Sequence, residues 1–230
     1  LSRKHVLETI RQNGSFLAGL SHDLNNAMAG VLGYCHLLER DPQTDRSGEY
    51  LQRIRSQAEF CRDTLNKLQI IAGPVQPRLN LCRGADVLFF VKTQFGKPDV
   101  EITSSCPDES VQLTADIDLL RHALCALVEN AMTAIESSQS LGTVSLAVEQ
   151  DEDEVVFRVK DSGPGLDTEL EHDRIFYPTV TTKRRGNGVG LGLTVALAIA
   201  VAHGGDLRLE SSSERGSCFA LSIPRQLPTE

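Results

Sequence analysis

The 230-residue chain lacks several of the features that most quickly assign a protein. It has no apolar run long enough to cross a bilayer, and no signal peptide. Its most apolar stretch, Thr194 to Ala202, is short and continues a glycine motif. There is no CxxC pair among the six cysteines, which argues against a zinc site. Most of these cysteines fall at apolar-periodic positions and read as buried, reduced thiols of a cytoplasmic protein. Positive charge is not in excess: the formal net charge is −8, which excludes a nucleic-acid binder held by phosphate contacts. The chain contains neither a Walker GK[ST] nor a Rossmann setting for its glycines. It opens at Leu1 without Met in a helical pattern, which reads as part of a longer protein.

What is present divides in two. From Val6 to Leu38, apolar residues recur at Val6, Ile10, Leu17, Leu20, Leu24, Ala27, Val31, Cys35 and Leu38, mostly three or four apart. A second seam runs Leu51, Ile54, Ala58, Cys61, Leu65, Leu68 and Ala72. Asp41-Pro42 breaks the first helix, Ser47 is the expected N-cap of the second, and Gly73-Pro74 closes it. Two helices cannot bury both seams alone, so the pattern predicts a homodimeric four-helix bundle. Gly73 to Pro77 is a short, stiff linker.

The remainder reads as α+β. Strands are expected at 100–104, 111–114, 143–149, 155–160, 206–210 and 218–223, and helices at 86–95, 117–137 and 190–203. Asp151 to Glu154 reads as a hairpin turn. The polar, aperiodic stretch 166–187 reads as a mobile loop of functional length.

Four motifs carry chemistry. SHDLNN (Ser21 to Asn26) lies within the first seam. His22 is two positions from both Leu20 and Leu24, which at about 100° per residue turns it away from the core and into water. A neutral imidazole there is a competent nucleophile, Asp23 can fix its tautomer, and Asn26 lies one turn on. Taken alone, His22 would be an ordinary exposed histidine. Glu129 and Asn130 stand beside the apolar face of a helix, where oxygens could reach a phosphate-held Mg²⁺. DSGPG (Asp161 to Gly165) places a carboxylate at a strand end, able to accept from an adenine amine, although the same string is good turn chemistry. GNGVGLGL (Gly186 to Leu193) leads into an apolar helix, whose N-terminal N–H groups suit a polyphosphate.

In this order the motifs resemble the catalytic core of a two-component sensor histidine kinase, over nearly the whole chain. SHDLNN resembles the histidine box, Glu129-Asn130-Ala131 the asparagine box, and DSGPG the first glycine box. Ile175-Phe176-Tyr177-Pro178 with TVTTK resembles the phenylalanine box, GVGLGL the second glycine box, and Gly216 to Phe219 the last. The resemblance implies a dimerisation and phosphotransfer domain at 1–73, a linker at 74–79, and a Bergerat (GHKL) ATP-binding sandwich at 80–230. It implies that His22 takes the γ-phosphoryl group of ATP, that Asp23 assists, and that Asn26 positions water for dephosphorylation of the partner. Asn130, with Glu129, would bind Mg²⁺. Asp161, Gly163, Gly165, Thr182, Lys183, Gly188, Gly190, Leu191, Gly192 and Ser217 would hold the nucleotide. Residues 166–187 would form the ATP lid, and Phe176 would couple it to the helical domain. The phosphoryl group would pass to an aspartate of a response-regulator receiver domain. No nucleic-acid partner and no membrane contact by this stretch are expected, and a membrane tether elsewhere in the full-length protein stays open.

The chain departs from the pattern at Ala126, where relatives carry an additional Asn, with weaker metal affinity and slow kinase activity the implied consequence. Two alternatives stand beside the kinase: a degenerate kinase acting as a dimeric regulator-binding scaffold, which rests on Ala126, and an ATP-driven clamp of the same fold, against which the exposed histidine counts.

Overall fold

A computed structural model describes residues 14–108, 110–138, 141–166, 174–177 and 190–225. Two long helices come first, α1 (Gly14–Arg40) and α2 (Ser47–Ala72), as an antiparallel hairpin. An extended segment leads to β1 (Asn80–Arg83) and α3 (Gly84–Gln94). Then follow β2 (Val100–Ser105), β3 (Gln112–Ala115), α4 (Ile117–Ser137), β4 (Gly142–Gln150), β5 (Glu154–Asp161), a 3₁₀ turn (Arg174–Phe176), α5 (Gly192–Ala202), β6 (Asp206–Ser213) and β7 (Gly216–Pro224). The five-stranded sheet runs β2-β4-β5-β7-β6 and is antiparallel except for β2 beside β4. β1 and β3 form a separate two-stranded ribbon. The architecture is therefore a helical hairpin followed by an α+β sandwich.

Strand alternation builds the core. Val155, Phe157 and Val159 of β5 and Phe219, Leu221 and Ile223 of β7 face the helices and are buried. On the opposite face Arg158 bridges Glu149 at 2.7 Å and Glu210 at 2.8 Å, lying across the small Ala147 and Ala220 with which it is in register. The helix α5 is apolar on all sides and buried from Thr194 to Ala200, which places it beneath α4 rather than on the surface.

The hairpin seams are covered only in part. Leu20 and Ala27 are buried, and Leu24, Val31, Cys35 and Leu38 are half-buried. The second seam divides. Ile54, Cys61 and Leu68 are covered, whereas Leu51, Ala58, Leu65 and Ala72, seven residues apart, are exposed. A single partner helix covers one flank of a heptad stripe and leaves the other open.

Some local expectations are corrected. Ser47 is the first residue of α2 rather than its cap; Arg46 holds the cap position without a side-chain bond, and its guanidinium pairs with Glu49 instead. The Ser47 N–H is already taken by the Thr44 carbonyl, so the turn runs directly into the helix. The strand β1 has too few residues to show alternation and exists by pairing with β3. α3 begins at Gly84, before the expected Asp86, and α5 begins at Gly192, after the expected Gly190.

α4 is capped by Asp116, the residue before its first turn. Asp116 accepts from the N–H groups of Asp118 (3.2 Å) and Leu119 (3.1 Å), and also from Arg78 (2.9 Å) just after the linker. Its own N–H donates to His203 Nε2 at 3.0 Å, so His203 carries its proton on Nδ1 and donates to the Ile199 carbonyl at 2.8 Å. Burial raises the Asp116 pKa, but the three N–H bonds, aided by His203, outweigh it and leave the carboxyl below its ordinary value. A depressed pKa contributes stability above the unfolded-state value that is lost as pH falls through the folded one. Asp116→Ala is expected to cost about 1–2 kcal/mol in urea unfolding at pH 7. The gap between wild type and variant should close on acidification below the ordinary carboxylate range.

Candidate nucleotide and phosphoacceptor sites

The end of β5 positions the first functional group. Asp161 is 4% exposed, and its Oδ1 accepts from the N–H groups of Gly163 (2.8 Å) and Ser217 (3.3 Å). The second oxygen is thereby left for a ligand. Burial raises the Asp161 pKa, and the two N–H bonds oppose that rise. The loop around it needs glycine for close approach. A Cβ on Gly165 (φ +75°) would lie 2.1 Å from the Ser213 carbonyl oxygen, and one on Gly216 (φ +120°) 1.9 Å from that of Asp161. Gly165 thus serves strand packing as well as the cavity that it lines.

That cavity has a volume of about 480 Å³, within the range of small-molecule sites. Glu129, Asn130, Asp161, Gly190, Gly192 and Ser217 line it, together with Gly165 and Leu191. Its direction is readable along α4. Gly163 lies against Ala134, and Gly192 against the Ala126 carbonyl, eight residues back along the helix. Asp161 therefore marks one end and the N-terminus of α5 the other, roughly 12 Å apart along the axis. Asn130 stands between them, half-buried. The Ser217 hydroxyl is shared with Ser212 (3.1 Å), which also takes the Leu166 N–H (2.8 Å), so it braces the loop. Leu191 is buried at the N-cap of α5, and the Thr194 hydroxyl donates to the Phe176 carbonyl at 2.8 Å. Phe176 is buried in the same apolar cluster as Leu20 and Ile71 of the hairpin. Thr182, Lys183 and Gly188 lie outside the described residues, as do 167–173 and 178–187 of the expected lid.

α2 supplies part of the wall: Phe60, Asp63, Thr64 and Lys67 line the cavity, and Lys67 Nζ lies 3.4 Å from Glu129 Oε2. Sequence reasoning missed these four, because only docking of the hairpin brings them there. Burial lowers the His122 pKa, with Lys67 adding to the fall, and burial pushes the Cys125 thiol up to about 11. Both residues precede Glu129 on α4.

The phosphoacceptor candidate is apart from the cavity. The His22 side chain is 72% exposed, and its Nδ1 lies 3.5 Å from Asp23 Oδ1 and 3.2 Å from Asn26 Nδ2. With the proton on Nδ1 it donates to Asp23 and leaves the Nε2 lone pair free; the other tautomer accepts from Asn26. Gly30 of α1 touches Gln57 of α2, and stepping eight residues from each along antiparallel helices puts His22 level with Leu65. The imidazole thus sits at the height of the cavity wall, but does not line the cavity.

Residues 12–72 match the His Kinase A (phospho-acceptor) domain, and residues 115–227 match the family of histidine kinase-, DNA gyrase B- and HSP90-like ATPases. The chain belongs to the sensor histidine kinases. It is 29% identical over 93% of its length to sporulation kinase A of Bacillus subtilis, and 28% over 94% to the signal transduction histidine-protein kinase AtoS of Escherichia coli. It spans 35% and 36% of those proteins, about a third of each. Among solved structures it resembles full-length ShkA in complex with AMPPNP, with TM-score 0.70 and 26% identity over 90% of this chain and 45% of that one. It also shares the fold of ThkA in its complex with the response regulator TrrA, with TM-score 0.67 and 21% identity over 98% of this chain and 64% of that one. ATP is therefore the ligand class of the kinase core. Among the described residues no helix is long and apolar enough to cross a membrane. Cys61, Cys82 and Cys218 are buried, and Cys35, Cys106 and Cys125 are half-buried.

Asp161→Asn separates recognition from folding. An amide oxygen can still accept from Gly163 and Ser217, but the remaining NH₂ would face the adenine amine donor to donor. ATP affinity, measured by calorimetry, should fall by at least about tenfold. Ionising Asp161 at neutral pH costs the fold because its pKa is raised, and that cost vanishes as pH falls through the raised value. The Asn variant never carries it, so its thermal stability at pH 7 should match or exceed that of the wild type.

Proposed function

We propose that the chain is an ATP-dependent protein-histidine kinase core, with domains at 1–73 and 80–230 joined by 74–79. His22 Nε2 attacks the γ-phosphorus, the bond from that phosphorus to the β,γ-bridging oxygen breaks, and ADP leaves. The Nδ1 proton passes to Asp23 or solvent. The phosphoryl group then moves to an aspartate of a response-regulator receiver domain, and Asn26 orients water for the separate phosphatase step, in which the aspartyl phosphate is hydrolysed to aspartate and inorganic phosphate. Catalysis is mainly positioning and charge neutralisation. The observation that carries this reading is an exposed imidazole, braced by Asp23 and Asn26, at the height of a cavity with a buried adenine-type acceptor.

Asn130 and Glu129 are the residues that would hold Mg²⁺, whose chemistry is to neutralise the transferring phosphates. Among the described residues there is no cluster of three or more His, Cys, Asp or Glu groups able to hold a metal, so a hard ion here depends on phosphate oxygens for the rest of its shell. The nucleotide contacts assigned to Thr182, Lys183 and Gly188 belong to the same proposal. Because His22 does not line the cavity, the two domains must reorient for transfer, and the 74–79 segment is the hinge.

The exposed Leu51, Ala58, Leu65 and Ala72, with Met28 and Leu32 on α1, form the face on which a second copy completes a four-helix bundle.

Incubation with Mg²⁺ and γ-labelled ATP should give acid-labile, alkali-stable label that is absent from His22→Ala. Asn26→Ala should keep the label and lose dephosphorylation of the regulator. Labelling that survives His22→Ala would refute the assignment. In sedimentation, the wild type should run as a dimer and Leu65→Glu as a monomer or a much weaker dimer; an unchanged dimer would rule that face out.

A further inference from the structure

The cavity has a wall that the kinase reading does not use. Asp63, Thr64 and Lys67 of α2 line it together with Glu129 and Asn130 of α4. Lys67 reaches Glu129 at 3.4 Å and is 25% exposed, so its ammonium is more sheltered than that of a surface lysine. This contact joins the hairpin to the sandwich beside the cavity. Gly163, in the loop after Asp161, lies against Ala134, while Glu129 lies one residue beyond Asn130 toward Ala126 and the α5 N-terminus. Lys67 therefore stands near the middle of the cavity, on the side of the α5 N-terminus. Glu129 is the carboxylate adjacent to Asn130, so an incoming phosphate and Glu129 are rival anions for one ammonium.

We propose that Lys67 is a positioning residue that reads the terminal phosphate of the nucleotide from the hairpin side. Without nucleotide, or with ADP, it pairs with Glu129 and holds the two domains in the arrangement seen here, with His22 outside the cavity. With ATP the extra phosphate draws Lys67 away from Glu129. That exchange frees the Glu129 carboxylate and loosens the contact that keeps the domains docked. Asp63 on α2 and His122 on α4 flank the pair and share its field, Asp63 opposing the charge of Lys67. The inference rests on the reading of the cavity as an ATP site.

Carbodiimide coupling tests it directly, because an ammonium and a carboxylate in contact condense to an amide with loss of water, and mass spectrometry identifies the linked peptides. The Lys67–Glu129 link should form in the free chain and with ADP, both without added Mg²⁺, and fall several-fold with saturating AMPPNP under the same conditions. Lys67→Glu should weaken AMPPNP binding about tenfold while leaving ADP binding within about twofold. Lys67→Glu combined with Glu129→Lys should restore the link, which a purely structural loss would not allow. Absence of the link in the free chain, or an unchanged yield when AMPPNP is shown by calorimetry to be bound, would overturn the proposal. Failure of every nucleotide to bind would instead overturn the ATP-site reading, and this inference with it.

Discussion

One residue, Asp116, ties the sandwich together. Its carboxylate caps α4 and accepts the N–H of Arg78 near the end of the linker, and its own N–H donates to His203 at the C-cap of α5. Three stretches distant in sequence are thereby fixed relative to each other by hydrogen bonds rather than apolar contact. α4 is the element that benefits. One of its faces is buried by the sheet and α5, and the edge between its buried and solvated faces carries Glu129 and Asn130 into the cavity. The placement of the Asn130 amide and of Arg78 in the linker thus depends on the same helix start.

The second constraint is close approach of backbone around Asp161. The β7 strand begins at Gly216 with its Cα against the Asp161 carbonyl, and Gly165 crosses Ser213. These approaches hold the Gly163 and Ser217 N–H groups on one oxygen of Asp161. Asp161 is buried with its Oδ1 held by these two N–H groups, and the carboxylate is the acceptor proposed for an adenine amine.

Much of this was legible from residues. The i, i+3, i+4 pattern located both long helices, and the exposure of His22 followed from its angular distance from Leu20 and Leu24. The strand runs and the span of α4 were also readable, because each has clear periodicity. The missed features have physical causes. β1 is four residues long and owes its form to β3. The cap of α2 escaped because the preceding turn consumed the Ser47 N–H. The two flanks of the second seam look alike in sequence, and only the position of α1 decides that Cys61 is covered and Leu65 is not.

By itself, the sequence determined the fold class, the order of the motifs, and which chemical groups are available: an imidazole, a strand-end carboxylate, an amide on a helix and a glycine-led helix start. These are local properties, set by periodicity and by residue chemistry within a few positions. Tertiary structure alone decided that Lys67 of the hairpin meets Glu129 of the sandwich, that α2 walls the cavity, and that His22 stands outside it at the same height. No local pattern encodes them, because they arise from how two separately readable units dock across a short linker.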